Sequence, residues 1–306
     1  MNGDKLIRGL LFGGELKLMA ITGRELVEFA KQIHGLSRVA TAALGRTLLI
    51  TSMMGDQLKS EDDRVSAIVK GGGPLGNIVC TGKKHGIVKG YVENPTLELP
   101  LGPDGKLDVS MAVGWFGELV VVRDMGLKEP YTARCQMVSG EIAEDFANYF
   151  TVSEQQPTLL YLGVRLDAGT GDVRAAGGLL IQAMPDCRTE SIDAVMAKVD
   201  DIKQISKRLE KAETIEDVLH SLFDDCELGL LEEQWPRFSC DCSGERLEKV
   251  LISLGIEELS DMKEKDHGAE LKCSFCSKTY RFSEDDLGAL ITEASTKEHD
   301  RDADTH

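Results

Sequence analysis

Two short stretches hold the residues best suited to chemistry. FSCDCSG, residues 238–244, carries Cys240 and Cys242, and LKCSFCSK, residues 271–278, carries Cys273 and Cys276, with 30 residues between the pairs. Four thiols placed this way suit a fixed zinc site, a disulfide framework, a catalytic thiol, or a metal site built to be taken apart. A tetrahedral zinc ion takes four thiolate or imidazole ligands. A close pair from each of two loops supplies that geometry while the intervening chain folds into a small unit. The spacing therefore predicts one zinc ion held by Cys240, Cys242, Cys273 and Cys276. Asp241 alone separates the first pair, which is tighter than the gap of about two to four residues in most structural zinc loops. Four thiolates on a divalent ion leave an excess of negative charge, and the thiolate is the form that oxidants attack. Such a site is stable yet vulnerable. His267 lies outside both pairs and reads as a loop histidine.

The rest of the composition narrows the function classes. A net charge of −17, with 28% charged residues, repels nucleic acid and anionic membrane surfaces, and no local basic patch is visible in the sequence. The opening MNGDKLIRGLLFGGELKLMA has only a short apolar run, which is neither a signal peptide nor a membrane span. The chain reads as cytoplasmic, where reductants disfavour a disulfide framework. Cys80, Cys135, Cys187 and Cys226 are isolated and read as small buried hydrophobes.

Other motifs carry less. GGGPLG, residues 71–76, matches a dinucleotide-binding pattern formally, but Pro74 interrupts it and the residues after it are strand-like, so it reads as a demanding turn. SGEIAEDFANYF gathers Glu141, Glu144 and Asp145. Ile142, Phe146 and Phe150 share one helical face there, and the acids sit in the first turn, where they suit the helix dipole. No histidine pair or nucleophile–base pattern appears, so catalysis is not expected.

The elements that must position the thiols follow from periodicity. Thr22 and Glu25 form a capping-box pattern ahead of Leu26, Phe29, Ala30 and Ile33 at helical spacing. SRVATAALGRTLLITSMMGDQL predicts a second helix rich in small residues, with Met53 and Met54 as core filler. Alternation at Val65, Ala67 and Val69, then GIVKGYV, KLDVSMAV, ELVVVRD, TLLYLGVRL and AAGGLLIQAM, predicts strands, with GPDGK and DAGTGD as reversals. Turn-linked strands indicate an α+β fold with a mostly antiparallel sheet over residues 1–187. Residues 188–236 form a helical linker. Its stripe of Ile192, Val195, Met196, Val199, Ile202, Ile205 and Leu209 needs a surface to lie on, and Thr214 with Asp217 starts a further helix carrying Val218, Leu219 and Leu222. The four-cysteine zinc domain spans 237–292, with Leu247, Val250, Leu251 and Leu254 in helical register, and 293–306 reads as a polar disordered tail.

The four cysteines at this spacing, together with FSCDCSGERLEKVLISLG, CSFCSKTYRFSEDDL, ATAALGRTL, GGGPLG, GYVENP, VSGEIAEDFANYFTVSEQ and AGGLLIQAMP, resemble the redox-regulated heat-shock holdases, the 33 kDa chaperonin family. The resemblance covers nearly the whole chain. It implies a stress-response, ATP-independent chaperone that is inactive while reduced and zinc-bound. Oxidation would then pair Cys240 with Cys242 and Cys273 with Cys276, release zinc, unfold the zinc domain and linker, and uncover a surface for unfolded client proteins. It further implies a monomer when reduced, a homodimer when oxidised, and transfer of clients to the ATP-dependent seventy-kilodalton system. The additional thiols, above all Cys226, depart from the family pattern and leave other disulfide pairings open. A constitutive zinc-ribbon interaction module and a metal-dependent enzyme are the competing readings; the enzyme needs an open coordination position.

Overall fold

A computed structural model describes residues 3–103, 105–211 and 213–303, with backbone alone over 296–303. The chain divides into two units between Ser239 and Cys240. The larger opens with strands β1 (Leu6–Leu11) and β2 (Leu16–Thr22), then helices α1 (Arg24–His34) and α2 (Arg38–Asp56). Strands β3 (Arg64–Lys70), β4 (Ile78–Gly82) and β5 (Ile87–Val92) follow, then α3 (Val109–Val113), β6 (Glu118–Asp124), β7 (Tyr131–Gln136), α4 (Ile142–Ser153), β8 (Thr158–Leu166) and β9 (Val173–Ala183). The expected linker folds as α5 (Thr189–Met196), α6 (Val199–Ile202), α7 (Ile205–Glu210), α8 (Ile215–Phe223) and β10 (Gly229–Gln234), and β11 (Arg237–Phe238) ends the unit. The smaller unit contains α9 (Gly244–Leu254), α10 (Ile256–Glu264), β12 (Ala269–Lys272), β13 (Thr279–Phe282) and α11 (Glu284–Ala303).

The larger unit is α+β and mostly antiparallel, as the strand and turn pattern predicts. One sheet runs β10-β1-β2-β9-β8 and the other β11-β5-β4-β3-β6-β7. Among the described residues, the short β11–β5 pairing is the one parallel ladder. Helix α2 is buried along its length and packs on both sheets, with Met53 and Met54 inside the core. GGGPLG is a tight loop between antiparallel strands. A Cβ on Gly73 would stand 2.4 Å from the Ala112 carbonyl oxygen, so glycine is needed there for close backbone approach and not for a phosphate.

The linker helices lie on the outer face of the first sheet. Val195, Ile202, Ile205, Val218, Leu219, Leu222 and Phe223 form one buried cluster with Ile7, Leu11, Leu16, Leu18, Leu179 and Ile181 of the strands. Strand glycines make the seat for α7. A Cβ on Gly177 would come within 2.6 Å of Leu209, and one on Gly163 within 2.7 Å of Ser206, whose hydroxyl is 2.8 Å from that of Tyr161.

Four local expectations change. The apolar stripe of the linker is not one helix: it breaks after Met196 and Ile202, and Ile192 and Met196 stay partly exposed while Val195, Ile202 and Ile205 turn inward. KLDVSMAV, expected as a strand, contains α3, because the Asp108 side chain accepts from the Met111 amide and caps a helical turn. Thr22 does not cap α1. The N-cap is Gly23, and the acceptor for the Leu26 amide is Asp4, brought from the chain start at 2.8 Å, while Thr22 Oγ1 accepts from the Lys5 amide. Residues 293–303, expected in the tail, continue α11, whose Ala294 is still buried; residues 304–306 lie outside the described residues.

Two measurements test this packing. Leu219→Ala, at a fully buried site, should cost about 2–5 kcal/mol, read as a lower urea midpoint for the larger unit; an unchanged midpoint would show that α8 is not docked. Burial pushes the Asp4 carboxyl up from 3.8 to about 6, opposed by backbone hydrogen bonds. The folded chain therefore binds more protons than the unfolded chain between those values, so the stability linked to Asp4 is present below the lower value and lost as pH rises through the upper one. The full loss should be about 3 kcal/mol, of which about 2 kcal/mol falls between pH 3.8 and pH 6, and a denaturation series on Asp4→Asn should lack that component.

Candidate metal centre

Cys240 and Cys242 sit in the extended segment that precedes α9, whose first turn is capped by the Ser243 side chain accepting from the Arg246 amide. Cys273 directly follows β12, and Cys276 lies in the turn to β13. That turn is closed by the Cys273 amide donating to the Lys278 carbonyl at 2.9 Å and the Ser277 amide donating to the Cys273 carbonyl at 2.8 Å, with Ser277 at φ 60°. The antiparallel β12–β13 register, Ala269 opposite Phe282 through Lys272 opposite Thr279, holds the turn at the end of the hairpin. Leu251, Leu259, Phe282, Leu287 and Leu290 form the core beneath it.

The four sulfurs lie within 4.8 Å of one another. Cys240 Sγ is 3.7 Å from Cys273 Sγ, and Cys242 Sγ is 3.4 Å from Cys276 Sγ. Four sulfurs around a common centre at about 2.3 Å, the zinc–thiolate distance, are separated by about 3.8 Å. The donor set fits a tetrahedral ion of that size and preference. All eight cysteines are free thiols. His267 stands apart from the cluster and pairs with Glu284 at 3.0 Å.

Several polar groups that spacing alone does not reveal surround the thiols. Tyr280 donates its hydroxyl toward the Cys242 carbonyl at 3.0 Å and toward Cys242 Sγ at 3.2 Å. Arg246 reaches back to Asp241, with the carboxylate at 2.9 Å and the carbonyl at 3.1 Å, and so braces the one residue between the first two thiols. Lys278 Nζ lies 4.8 Å from the centre of the Tyr280 ring. Burial pushes the Cys242 thiol up, but hydrogen bonds from Tyr280 and the neighbouring sulfurs outweigh it and bring it down to about 7. Burial holds Cys240 and Cys276 above the ordinary thiol range. Tyr280 follows Cys276 by four residues in the sequence, but no ligand-spacing pattern assigns it a place beside the thiols.

The remaining candidates are structural. Cys80, Cys135 and Cys226 are buried and Cys187 is partly buried; burial raises all four thiols, Cys226 to about 11. Glu141 pairs with Arg46, and Asp145 accepts from the Val138 and Ser139 amides at 2.7 and 3.1 Å, so the acids of α4 do not form a carboxylate pair. Among the described residues, no helix is long and apolar enough to cross a membrane.

Fold and site together define a two-unit α+β protein with a four-thiol centre in its smaller unit. A family model described as Hsp33 protein matches residues 4–283. The chain is 41% identical over 290 residues to a 33 kDa chaperonin of Clostridioides difficile, covering 95% of this chain and 99% of that one. It is 42% identical over 294 residues to the 33 kDa chaperonin of Alkaliphilus oremlandii, with coverage of 96% and 98%. The crystal structure of the 33 kDa chaperonin of Thermotoga maritima superposes with a TM-score of 0.88 at 35% identity, covering 96% of this chain and all of that one. The chain belongs to the Hsp33 family of chaperones.

Tyr280→Phe keeps the ring and removes both hydroxyl contacts. Divalent-metal affinity, measured by competition with a chromophoric chelator, should fall by about 10-fold; unchanged affinity would show that the hydroxyl does not support the thiols.

Proposed function

We propose that this chain is a redox-regulated, ATP-independent holdase. In the reduced state Cys240, Cys242, Cys273 and Cys276 hold one zinc ion as thiolates. The ion supplies the cross-link that closes residues 237–292 into a folded domain. The observation that carries the reading is the four-thiol cluster, with its sulfurs within 4.8 Å of one another, in a unit whose core cluster, among the described residues, holds five buried side chains. Zinc at a small structural site contributes about 10–16 kcal/mol of apparent folding free energy, whereas whole domains are net stable by about 5–15 kcal/mol. A unit with so small a core is folded with its cross-link and unfolded without it.

Oxidation draws four electrons from the thiolates, forming one bond between Cys240 and Cys242 and one between Cys273 and Cys276. Each bond reduces one equivalent of peroxide, with two protons, to two waters, or one equivalent of hypochlorous acid, with one proton, to chloride and one water. Sulfurs bonded in disulfides no longer serve as thiolate ligands. Once the small domain unfolds, the linker, residues 188–236, loses its C-terminal anchor. Its undocking from residues 1–187 uncovers Ile7, Leu11, Leu16, Leu18, Leu179 and Ile181 together with its own apolar stripe. Exposed apolar patches of this kind capture unfolded chains, and the charge of −17 keeps the opened protein in solution.

The clients on this reading are unfolded proteins of the cytoplasm under oxidative stress. The oxidised form is a homodimer that passes them to the ATP-dependent seventy-kilodalton chaperone system, and no substrate is turned over.

Zinc release, helical content and suppression of client aggregation, followed together during peroxide treatment with mild heat, should change in concert, with suppression absent at the start. Equal suppression by reduced, zinc-loaded protein would overturn the reading. Zinc that stays bound under oxidant would point instead to a constitutive zinc-ribbon module.

A further inference from the structure

The end of the larger unit is fastened by a very short strand. β11 lies parallel to β5, with the Arg237 amide donating to the Gly86 carbonyl at 3.2 Å and the Ser239 amide to the Val88 carbonyl at 2.9 Å. So short a pairing has little stability of its own. Phe238 seats it. Its ring centre is 5.4 Å from that of Phe29, tilted by 47°, and 6.3 Å from that of His34, and it packs on the main core. His34 is itself pinned, Nε2 lying 3.0 Å from the Gly90 carbonyl oxygen. Pro236 rests on Gly86, where a Cβ would stand 3.0 Å from the proline Cα. Phe29 remains 48% exposed with Phe238 in place, so it forms the outer wall of the seat. The result is a slot at a sheet edge, with backbone acceptors along β5 and an aromatic seat for one large side chain. Strand-addition recognition uses these two parts: main-chain bonds that make no demand on sequence, and a pocket that selects a side chain.

We propose that this slot is a client site and that residues 236–239 are its built-in occupant, displaced in the active form. The inference rests on the holdase reading and adds the place and chemistry of binding: an extended segment of unfolded polypeptide with an aromatic or large aliphatic residue where Phe238 sits. The chain's own segment shows what the slot accepts. β11 ends two residues before Cys240, so loss of the fold that begins at Cys240 slackens the strand that fills the slot. A tethered strand acts at an effective concentration of about millimolar, which a client rich in apolar segments can match once the tether is loose. With β11 gone, Val88 loses its donor and Gly86 keeps only the Ser52 hydroxyl, leaving the kind of open edge that folded proteins normally cover.

The probe is an acetylated, fluorescein-labelled peptide of residues 233–239, titrated into the full chain in its reduced, zinc-loaded and its oxidised forms. It should bind the oxidised form at least about tenfold more tightly, be displaced by a chemically denatured client, and bind about tenfold more weakly to oxidised Phe29→Ser. Phe238→Ser should admit the peptide to the reduced form as well. Oxidised protein that holds clients but neither binds the peptide nor responds to Phe29→Ser overturns the slot and leaves the holdase reading standing, as does equal binding of the peptide by the two forms of the unsubstituted protein. Oxidised protein that binds the peptide yet holds no client overturns the client assignment and the holdase reading together.

Discussion

Strand β9 is apolar on both faces, and this property obliges the rest of the larger unit to supply two covers. Ala176 and Leu180 face the core around α2, while Leu179 and Ile181 face the linker helices. Covering a side chain such as leucine or isoleucine is worth about 1.5–3 kcal/mol, so neither face can be left to water cheaply. The inner cover, α2, is buried along its length and belongs to both sheets. The outer cover is a set of short helices that would be marginal in water alone. Its order is borrowed from the sheet, and the seats at Gly163 and Gly177 let it approach closely enough to borrow it.

The smaller unit meets the opposite constraint. Among the described residues, a cluster of five buried side chains makes a core too small to hold securely a unit that runs from Cys240 beyond Ala303, and the four thiols stand where a cross-link would compensate. The groups around them serve that centre in different ways. Arg246 braces the tight loop at Asp241, Tyr280 donates to Cys242, and Lys278 places a positive charge beside that tyrosine ring. Supporting contacts of this kind orient thiolate ligands and offset the charge they gather.

β11 shows a third form of dependence. Its backbone bonds are too few to hold it, and the Phe238 side chain does so by filling a seat between Phe29 and His34. Sheet edges in stable proteins are covered, charged or shortened, and this one is covered by residues that run directly into the first thiol of the cluster. The larger unit of this Hsp33-family chain is thus covered in two places by elements whose own stability is low.

Much was legible in the sequence. The paired spacing of Cys240, Cys242, Cys273 and Cys276 indicated a cluster because ligand geometry is local to two loops. Alternation at Val65, Ala67 and Val69 and the small-residue pattern of α2 indicated strand and helix because hydrophobic period reports which face is buried. The helix at Val109–Val113, the break of the linker stripe and the Asp4 cap of α1 were not legible, since each depends on a partner or surface that the fold brings from elsewhere. The same holds for the support that Arg246 and Tyr280 give the thiols, and for the seat of Phe238. Residue type and spacing determined what each segment tends to form and which thiols can share a centre. Only the tertiary structure decided which acceptor, cavity or sheet face each segment meets, because those contacts join residues far apart in the chain and leave no periodic trace in it.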